Sequence, residues 1–244
     1  MDSSTTQTNA RPCSDCTLVI MAKAPKPGMV KTRLAQYVPP AAVTELYRCL
    51  LADTIALAQS LAGVEVAIMC PRSDVEELAR FAGDAVRVVA QTGDGLAAAL
   101  TSVFAHFAVT GQQRIIAFNS DSPHLPACVL ANAFEALATC DVVVGPTHDG
   151  GYYLVGAKAA YPDLFSGDGM GTSSALDALL AGIRARSLSL RFADPFYDVD
   201  VASDLVRLDA ELRLYPKRAP RTAAWLAQWK QVVVEPLNAG ARNP

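Results

Sequence analysis

Residues 17–34, TLVIMAKAPKPGMVKTRL, join an apolar run directly to a segment rich in proline and cations. The apolar run at 17–23 is continuous rather than alternating, which is typical of a β-strand covered on both faces of a parallel sheet. Pro25, Pro27 and Gly28 exclude a helix immediately after it and indicate a stiffened loop. The stretch therefore predicts the first strand of an α/β domain with a basic loop at its carboxyl end.

The same alternation of short apolar runs and helical patterns continues along the chain. Further strands are predicted at 64–70, 86–90, 115–118, 142–145 and 152–157. Apolar stripes with helical spacing begin at Val43, Leu96, Leu130, Leu176, Val201 and Trp225. Such repetition implies right-handed crossovers and a mainly parallel sheet. We predict one α/β domain over residues 17–231, a three-layer αβα sandwich ending in helices, with a disordered tail at 1–16 and a frayed end at 232–244.

The composition favours a soluble protein and excludes several classes. The chain has 244 residues, 51% of them hydrophobic and 18% charged, with a formal net charge of −3. This is too apolar for a disordered chain, and it lacks the basic excess of a nucleic-acid coat protein. No apolar run reaches the roughly 18 to 20 residues of a membrane span, and the first residues are too polar for a secretory signal. We expect a cytoplasmic protein that binds neither nucleic acid nor membrane.

The six cysteines are scattered, and most lie in apolar segments where a thiol packs as a small hydrophobe. Cys13 and Cys16 form a Cys-x-x-Cys pair, which is typical of half a zinc site or a redox motif. Because two ligands do not complete a tetrahedral zinc site, we favour an incidental pair in the tail.

The basic loop is the first candidate site, because ligands of open parallel sheets bind outside the carboxyl ends of the strands. Lys23, Lys26, Lys31 and Arg33 lie within this short segment. Exposed backbone N–H groups beside lysine and arginine suit a di- or triphosphate. The chain has neither a Walker A spacing nor a Gly-x-Gly-x-x-Gly motif. A solvated basic turn is the alternative.

Acidic residues supply a second candidate site. Asp121, in NSDSPHLP, follows the strand predicted at 115–118, where it could share Mg²⁺ with substrate phosphates or cap the next helix. Asp198 and Asp200, in DVDVASDL, lie two apart on one face of an extended segment and could complete a three-carboxylate site. Asp204 stands where a helix begins, which favours capping over catalysis.

The stretch 145–153, GPTHDGGYY, is the third candidate. Gly150 and Gly151 beside Asp149 predict either a tight turn that a ligand can approach or an ordinary hairpin turn. The two tyrosines that follow are more typical of packing than of stacking on a ligand. His148 could act as a base, although a lone loop histidine is usually solvated.

At these places the chain resembles a known family. MAKAPKPGMVKTRLA, NSDSPHLP, VVVGPTHDGGYYLVG and DVDVASDL occur in this order. Over about residues 17–230 they resemble the transferase family DUF2064, which is associated with radical-SAM and selenoprotein-like genes. That family is placed in the nucleotide-diphospho-sugar transferase superfamily, which has the GT-A fold. It is similar to the guanylyltransferases of molybdenum-cofactor and 2-phospholactate chemistry.

The resemblance implies specific roles for residues of this chain. It makes Lys31, Arg33 and Asp121 catalytic. It implies a Mg²⁺ or Mn²⁺ ion held by Asp121, Asp198 and Asp200. Nucleotide binding is expected at Ala22, Lys23, Gly28, Lys31, Arg33, Gln91, Gly95 and Ser120. Acceptor binding is expected at Asp149, Gly150, Gly151 and Tyr152.

The chain departs from the family pattern at two surfaces expected to meet substrate. Residues 95–99, GLAAA, lack an arginine that many members carry after the third strand. Residues 169–171, GMG, stand where a tryptophan is common.

Three functions fit these residues. The favoured one is nucleotidyl transfer from a nucleoside triphosphate to a small phosphorylated or anionic acceptor, with release of pyrophosphate. The alternatives are a glycosyltransferase that uses an NDP-sugar in the same site and a nucleotide-binding protein without turnover. Asp121 stands in Ser-Asp-Ser-Pro rather than the Asp-x-Asp usual in sugar transferases of this fold, which favours the first. The sequence specifies neither the base, nor the acceptor, nor the oligomeric state.

Overall fold

A twisted sheet forms the centre of the protein in the computed structural model, which describes residues 15–166 and 169–234. Its strands are β1 (Cys16–Met21), β2 (Val64–Cys70), β3 (Arg87–Ala90), β4 (Arg114–Asn119), β5 (Val142–Pro146), β6 (Tyr152–Ala157) and β7 (Leu190–Phe192). Their order in the sheet is β3-β2-β1-β4-β6-β5-β7. β6 runs antiparallel to its neighbours β4 and β5, and every other pairing in this sheet is parallel.

Helices cover both faces of the sheet. They are α1 (Pro40–Gln59), α2 (Val75–Ala82), α3 (Gly95–Val109), α4 (Ala127–Ala136), α5 (Ala175–Ala185), α6 (Ala202–Leu214) and α7 (Pro220–Gln228). A π-helical turn at Lys230–Val234 ends the described chain. The mainly parallel αβα architecture predicted from the sequence is confirmed.

Two apolar clusters pack against opposite faces of the sheet. Because successive side chains of a strand alternate between faces, Leu18 and Ile20 of β1 contact one cluster and Val19 the other. α1, α2 and α4 contribute buried residues to the first cluster, and α3 and α5 contribute to the second. A third cluster packs α6 and α7 against the outer side of α1.

The sheet brings four loops to one edge. β1, β2, β3 and β4 are neighbours and run parallel, so their carboxyl ends coincide: Met21 lies opposite both Met69 and Asn119. Cys70 in turn lies opposite Ala90. The loops that follow these four strands therefore meet at the edge of the sheet where ligands of open parallel sheets bind.

The structure differs from the predicted elements in several places. β1 begins at Cys16, which was assigned to the tail; Cys13 lies outside the described residues. The final turn continues to Val234, past the predicted end at 231, and the rest of the predicted frayed end is not described. β7 and α2 were not predicted. Asp204 does cap α6, since its carboxylate accepts from Asp200 N–H (2.9 Å) and Val201 N–H (2.7 Å).

Within the described ranges, no helix combines the length and apolar character needed to cross a membrane.

Candidate functional site

A cavity of about 550 Å³ opens at the carboxyl ends of β1 to β4. Eight of the residues predicted to bind nucleotide or metal line it: Ala22, Lys23, Lys31, Gln91, Gly95, Ser120, Asp121 and Asp200. Gly28, Arg33 and Asp198 are not among its lining residues, and neither is any of the four predicted acceptor residues. The cavity is thus lined by most of the predicted nucleotide and metal ligands and by none of the predicted acceptor ligands.

Asp74, at the start of α2, fixes the first part of the basic loop. Its carboxylate accepts from Ala24 N–H at 2.9 Å and from Lys26 Nζ at 2.6 Å. Burial would raise the pKa of Asp74, but these donors outweigh it and hold the pKa below its usual value. The loop that follows β1 is therefore tied to the end of β2. Asp74 was not predicted as a site residue, because its role depends on a partner about 50 residues away.

The second part of the loop turns Lys31 into the protein. Gly28 has φ of 74° and Lys31 has φ of 49°, so both occupy the left-handed region. For Lys31 this conformation is uncommon, and the surrounding structure must enforce it. Its side chain is only 4% exposed. A lysine predicted to face solvent or phosphate therefore has a buried side chain in the wall of the cavity.

Lys31 lies between two of the predicted metal ligands. Its Nζ is 2.9 Å from Asp121 Oδ2 and 3.4 Å from Asp200 Oδ1. Burial alone would lower the pKa of Lys31, but the negative charges of Asp121 and Asp200 outweigh it and raise the pKa above its usual value. Lys31 is therefore an ammonium ion held by carboxylates.

Arg33 contacts one of these acids, Asp200, from the rim of the site. Its guanidinium donates to Asp200 Oδ2 at 2.8 Å, while its side chain is 70% exposed. Two cations of the loop thus contact Asp200, one buried and one at the rim.

The segment that carries Asp198 and Asp200 is held against the loop after β4. Val199 N–H donates to the Asp121 carbonyl oxygen at 3.0 Å, and the Ser122 hydroxyl donates to the Tyr197 carbonyl at 3.1 Å. These bonds bring two regions about 80 residues apart in the sequence to the same edge of the sheet. α4 begins without a side-chain cap, so capping of that helix by Asp121 is excluded.

The pKa of Asp198 is raised above its usual value. Burial raises the pKa of Asp198 to about 6, the charge of Asp121 adds to this, and Lys31 partly offsets it. Burial and the neighbouring carboxylates thus both favour the protonated form of Asp198.

The donors fit a magnesium ion in kind, because Mg²⁺ prefers carboxylate oxygens and typically binds through one or two of them together with substrate phosphates. They do not form a ready-made cage. In the part of the chain that the structure describes, no group of three His, Cys, Asp or Glu side chains is arranged to hold a metal ion. Asp121 and Asp200 are both engaged with Lys31 instead.

The predicted acceptor turn proves to be a hairpin turn between β5 and β6. Thr147 N–H donates to the Gly151 carbonyl at 3.0 Å. The Thr147 hydroxyl and Gly151 N–H donate to Asp149, and these bonds lower the pKa of Asp149. Gly150, with φ of 88°, lies so close to Ser173 that an added Cβ would be 2.0 Å from its carbonyl oxygen. The two glycines therefore belong to a hairpin turn, and acceptor binding at this turn stays a prediction.

The remaining residues of that turn lie apart from the cavity lining. His148 is exposed. Tyr152 is partly buried and its hydroxyl donates to Met170 Sδ at 3.9 Å. Asp149 lies near enough to Arg33 for that cation to contribute to its low pKa. The turn thus neighbours the rim of the site.

Tyr47 lies on α1, within the apolar stripe that begins at Val43, and also lines the cavity. Its hydroxyl accepts from Lys23 N–H at 3.2 Å and lies 3.2 Å from Ser120 Oγ. Burial raises the pKa of Tyr47 to about 12, with a further contribution from the charge of Asp121. Tyr47 therefore links the ends of β1 and β4 as a neutral hydroxyl. Nothing in a helical stripe distinguishes such a tyrosine from a core residue.

Apolar side chains also line the cavity. Met29, which is 65% exposed, and Leu96, which is 39% exposed, both belong to its lining. Leu96 stands in the stretch where many members of the resembled family carry an arginine. Exposed apolar groups at a cavity rim are suited to contact a ligand's flat or apolar part.

Comparison with known proteins agrees with the motif resemblance. Residues 54–172 match the family model described as "Uncharacterized protein conserved in bacteria (DUF2064)". A comparison with curated protein sequences gave no match.

Solved structures share the fold. A candidate nucleotide-diphospho-sugar transferase from Desulfovibrio desulfuricans G20 superposes with a TM-score of 0.84 at 26% identity, covering 91% of this chain and 98% of that one. The 4-diphosphocytidyl-2C-methyl-D-erythritol synthase of Anaerococcus prevotii DSM 20548 gives 0.53 at 13% identity, covering 81% and 96%. A CMP-2-keto-3-deoxy-manno-octonic acid synthetase in complex with CTP gives 0.54 at 12% identity, covering 82% and 99%. The predicted fold class is confirmed.

Proposed function

Since residues 54–172 match DUF2064 and the chain has the fold of the nucleotide-diphospho-sugar transferases, we propose that this protein is a nucleotidyltransferase. It binds a nucleoside triphosphate in the cavity at the ends of β1 to β4. It then transfers the nucleotidyl group to a small phosphorylated or anionic acceptor and releases pyrophosphate.

The observation that carries this proposal is the extent and polarity of the cavity. It crosses the ends of four neighbouring strands, β3-β2-β1-β4, and three strand spacings amount to about 14 Å. That length accommodates an extended nucleoside polyphosphate. The lysines of the lining, with Asp121 and Asp200, lie at the β1–β4 end, whereas Gln91, Gly95, Leu96 and a single acid, Asp94, lie at the β3 end. The asymmetry supports phosphates at the first end and the base at the second.

In this orientation the chemistry is mainly positioning and charge stabilisation. An oxygen of the anionic acceptor attacks the α-phosphorus, the bond to the β-phosphate oxygen breaks, and pyrophosphate leaves with the electron pair. Lys31, Lys23 and Arg33 stabilise the charge that builds up on the phosphate oxygens. An acceptor that is already an anion needs no strong base, so neither His148 nor Asp149 is required to remove a proton.

A Mg²⁺ or Mn²⁺ ion is part of the proposal. Asp121 and Asp200, with Asp198 beside them, would hold it, and it would supply further positive charge to the phosphates.

The acceptor is proposed to enter past the exposed Arg33 and the hairpin turn at 147–151. Asp149, Gly150, Gly151 and Tyr152 form or support that turn. Arg33 provides the cation that would attract a phosphorylated or carboxylated molecule to this side.

The competing function is glycosyl transfer from an NDP-sugar bound in the same cavity. It is favoured by the description of the Desulfovibrio protein as a candidate nucleotide-diphospho-sugar transferase. A nucleotidyltransferase should be stabilised by a nucleoside triphosphate, whereas a glycosyltransferase should be stabilised by an NDP-sugar.

Thermal-shift measurements with nucleoside triphosphates and NDP-sugars, each with and without Mg²⁺, test the proposal. A ligand that binds only the native state raises the melting temperature in proportion to RT ln(1 + [L]/Kd). We expect the largest rise with one triphosphate in the presence of Mg²⁺. A larger rise with an NDP-sugar would replace nucleotidyl by glycosyl transfer, and no rise with either set would contradict both.

A further inference from the structure

Nucleotide binding alone does not explain why the side chain of Lys31 is buried against Asp121 and Asp200. A loop lysine that serves only to bind phosphate would be expected to extend into the cavity. Lys31 is instead 4% exposed, with its ammonium 2.9 Å from Asp121 and 3.4 Å from Asp200. Its backbone lies in the left-handed region, with φ of 49°.

The ammonium and a divalent metal would compete for the same oxygens. Asp121 and Asp200 are the acids that both the cavity and the donor chemistry offer to a metal, and both are already in contact with Lys31. A metal bound to them would lie within a few ångströms of the ammonium, and cations at that distance repel strongly in a partly buried site. Arg33 adds a further cation on Asp200.

We propose that Lys31 is the internal counter-ion of Asp121 and Asp200, that it keeps divalent metal off the free protein, and that metal binds together with the nucleotide. The last step rests on the proposed function. The phosphates offer Lys31 a new anionic partner, so its ammonium transfers from the carboxylates to the phosphates as the metal takes its place. No covalent bond changes in this exchange.

A purely structural salt bridge is a poor alternative account of Lys31. Burying an ion pair costs desolvation energy that the attraction often fails to exceed, so stability alone is weak grounds for placing it here. The pair also lies in the wall of a cavity rather than in one of the apolar clusters. Exchange of its carboxylate partners for phosphates explains both why the Lys31 ammonium is buried and why it lies in the cavity wall.

The test is a Mn²⁺ titration of the nucleotide-free protein, followed by the loss of the free-ion electron paramagnetic resonance signal. The variants are Lys31→Met and, as a matched control, Lys26→Met, which removes a loop lysine whose carboxylate partners are Asp74 and Glu77. We expect the wild type and Lys26→Met to bind Mn²⁺ weakly or not at all. Lys31→Met should bind it at least about tenfold more tightly, because Asp121 and Asp200 are freed.

The melting temperature supplies a second readout that does not depend on activity. Mn²⁺ should raise the melting temperature of Lys31→Met and leave that of the wild type unchanged. If Lys31→Met does not fold, Lys31→Gln, which also lacks the charge, takes its place. Equal Mn²⁺ affinity in the wild type and the uncharged variant would overturn the counter-ion role.

Repeating the Mn²⁺ titration with nucleotide present distinguishes failure of this inference from failure of the proposed function. In the wild type, Mn²⁺ should become protein-bound when the triphosphate selected by thermal shift is added. If no nucleotide binds at all while Lys31→Met still gains Mn²⁺ affinity, the counter-ion role holds and the proposed function fails. If nucleotide binds but the uncharged variant gains no Mn²⁺ affinity, the proposed function holds and the counter-ion role fails.

Discussion

His124 is fully buried beside the rings of Phe196 and Tyr197, and neither of its ring nitrogens has a hydrogen-bond partner among the described residues. Burial lowers the pKa of His124 to about 3, and the positive charges of Arg207 and Arg218 act in the same direction. The histidine therefore remains neutral in the folded protein across the ordinary pH range. Since Tyr197 directly precedes Asp198, this packing supports the acidic segment of the site.

The buried histidine predicts a pH-dependent stability. Unfolded, His124 titrates near pH 6.5, but folded it stays neutral to about pH 3. The unfolded state therefore binds more protons below pH 6.5. His124 thus lowers the free energy of unfolding by about 1.4 kcal/mol for each unit by which the pH drops below 6.5. Urea unfolding of the wild type and His124→Phe from pH 7.5 to pH 4.5 measures this. The difference between the two should change with pH; a constant difference would contradict the assignment.

Arg33 predicts a loss of affinity without a loss of fold. Its exposed guanidinium contacts Asp200 at the rim, so Arg33→Ala should weaken triphosphate binding by about 1.5–3 kcal/mol, the range for hydrogen bonds to charged groups. Arg80→Ala, which removes an exposed arginine paired with Glu76 on α2, should not change it. Calorimetric titration of both variants checks this. An unchanged affinity in Arg33→Ala would return the residue to the solvated-turn interpretation.

Residue types and positions revealed part of the site before the structure did. Asp121 could be selected because it directly follows a buried parallel strand, and Lys31 because cations cluster after β1. Their contact could not be predicted, since it depends on the left-handed backbone of Lys31 and on a partner, Asp200, far along the chain. Asp74 and Tyr47 were missed for the same reason: their polar partners are distant in sequence.

The hairpin turn between β5 and β6 is held by hydrogen bonds among its own residues, 147–151. Asp149 accepts from Gly151 N–H, and Gly150 allows the turn to approach the backbone at Ser173. The turn is thereby joined to the segment before α5. This close approach requires glycine at position 150.

Gly150→Ala should therefore destabilise the protein strongly. Its new Cβ would be 2.0 Å from Ser173 O, in addition to the strain of φ at 88°. Gly111→Ala is a matched control, because its φ is 89° but nothing lies within 4 Å of the added Cβ. We expect Gly111→Ala to cost about 1–2 kcal/mol and Gly150→Ala clearly more. Urea denaturation measures both, and equal costs would show that the turn can move away from Ser173.

Long, apolar elements were predictable from the sequence, whereas short or half-exposed ones were not. Six strands were predicted at nearly their observed bounds; five of them are largely buried, whereas β3 has no buried residue and was predicted from its apolar run alone. β7 has three residues and none of them is buried, and α2 is eight residues long with only Leu78 buried. The reversed direction of β6 was implied only by the hairpin alternative for 145–153, since a strand covered on both faces has the same composition in either direction.

At the scale of the whole molecule, α6 and α7 form a third apolar cluster with α1 and make the C-terminal part integral to the fold. Asp53 of α1 reinforces this contact, since its buried carboxylate accepts from Thr222 N–H at 2.8 Å and from the Thr222 hydroxyl at 2.9 Å. The segment that leads into α6 also carries Asp198 and Asp200. The stability of the C-terminal part and the position of the acids are thus coupled.

Leu208→Ala tests that coupling. Leu208 of α6 is fully buried, so the substitution should cost about 2–5 kcal/mol while unfolding remains a single transition. Leu214→Ala, at the 75% exposed end of the same helix, should cost little. Circular dichroism during denaturation distinguishes the two. A separate early transition in Leu208→Ala would show that α6 and α7 unfold independently of the sheet.

The central claim is that a nucleotide binds at the ends of β1 to β4 with Asp121 at its phosphate end. Calorimetric titration with Mg²⁺ and the triphosphate chosen by thermal shift, comparing the wild type with Asp121→Ala, tests this most directly. Asp177→Ala, which removes an exposed acid of α5, is the control. We predict saturable binding by the wild type and Asp177→Ala and none by a folded Asp121→Ala. Binding by Asp121→Ala as tight as that of the wild type would contradict the claim.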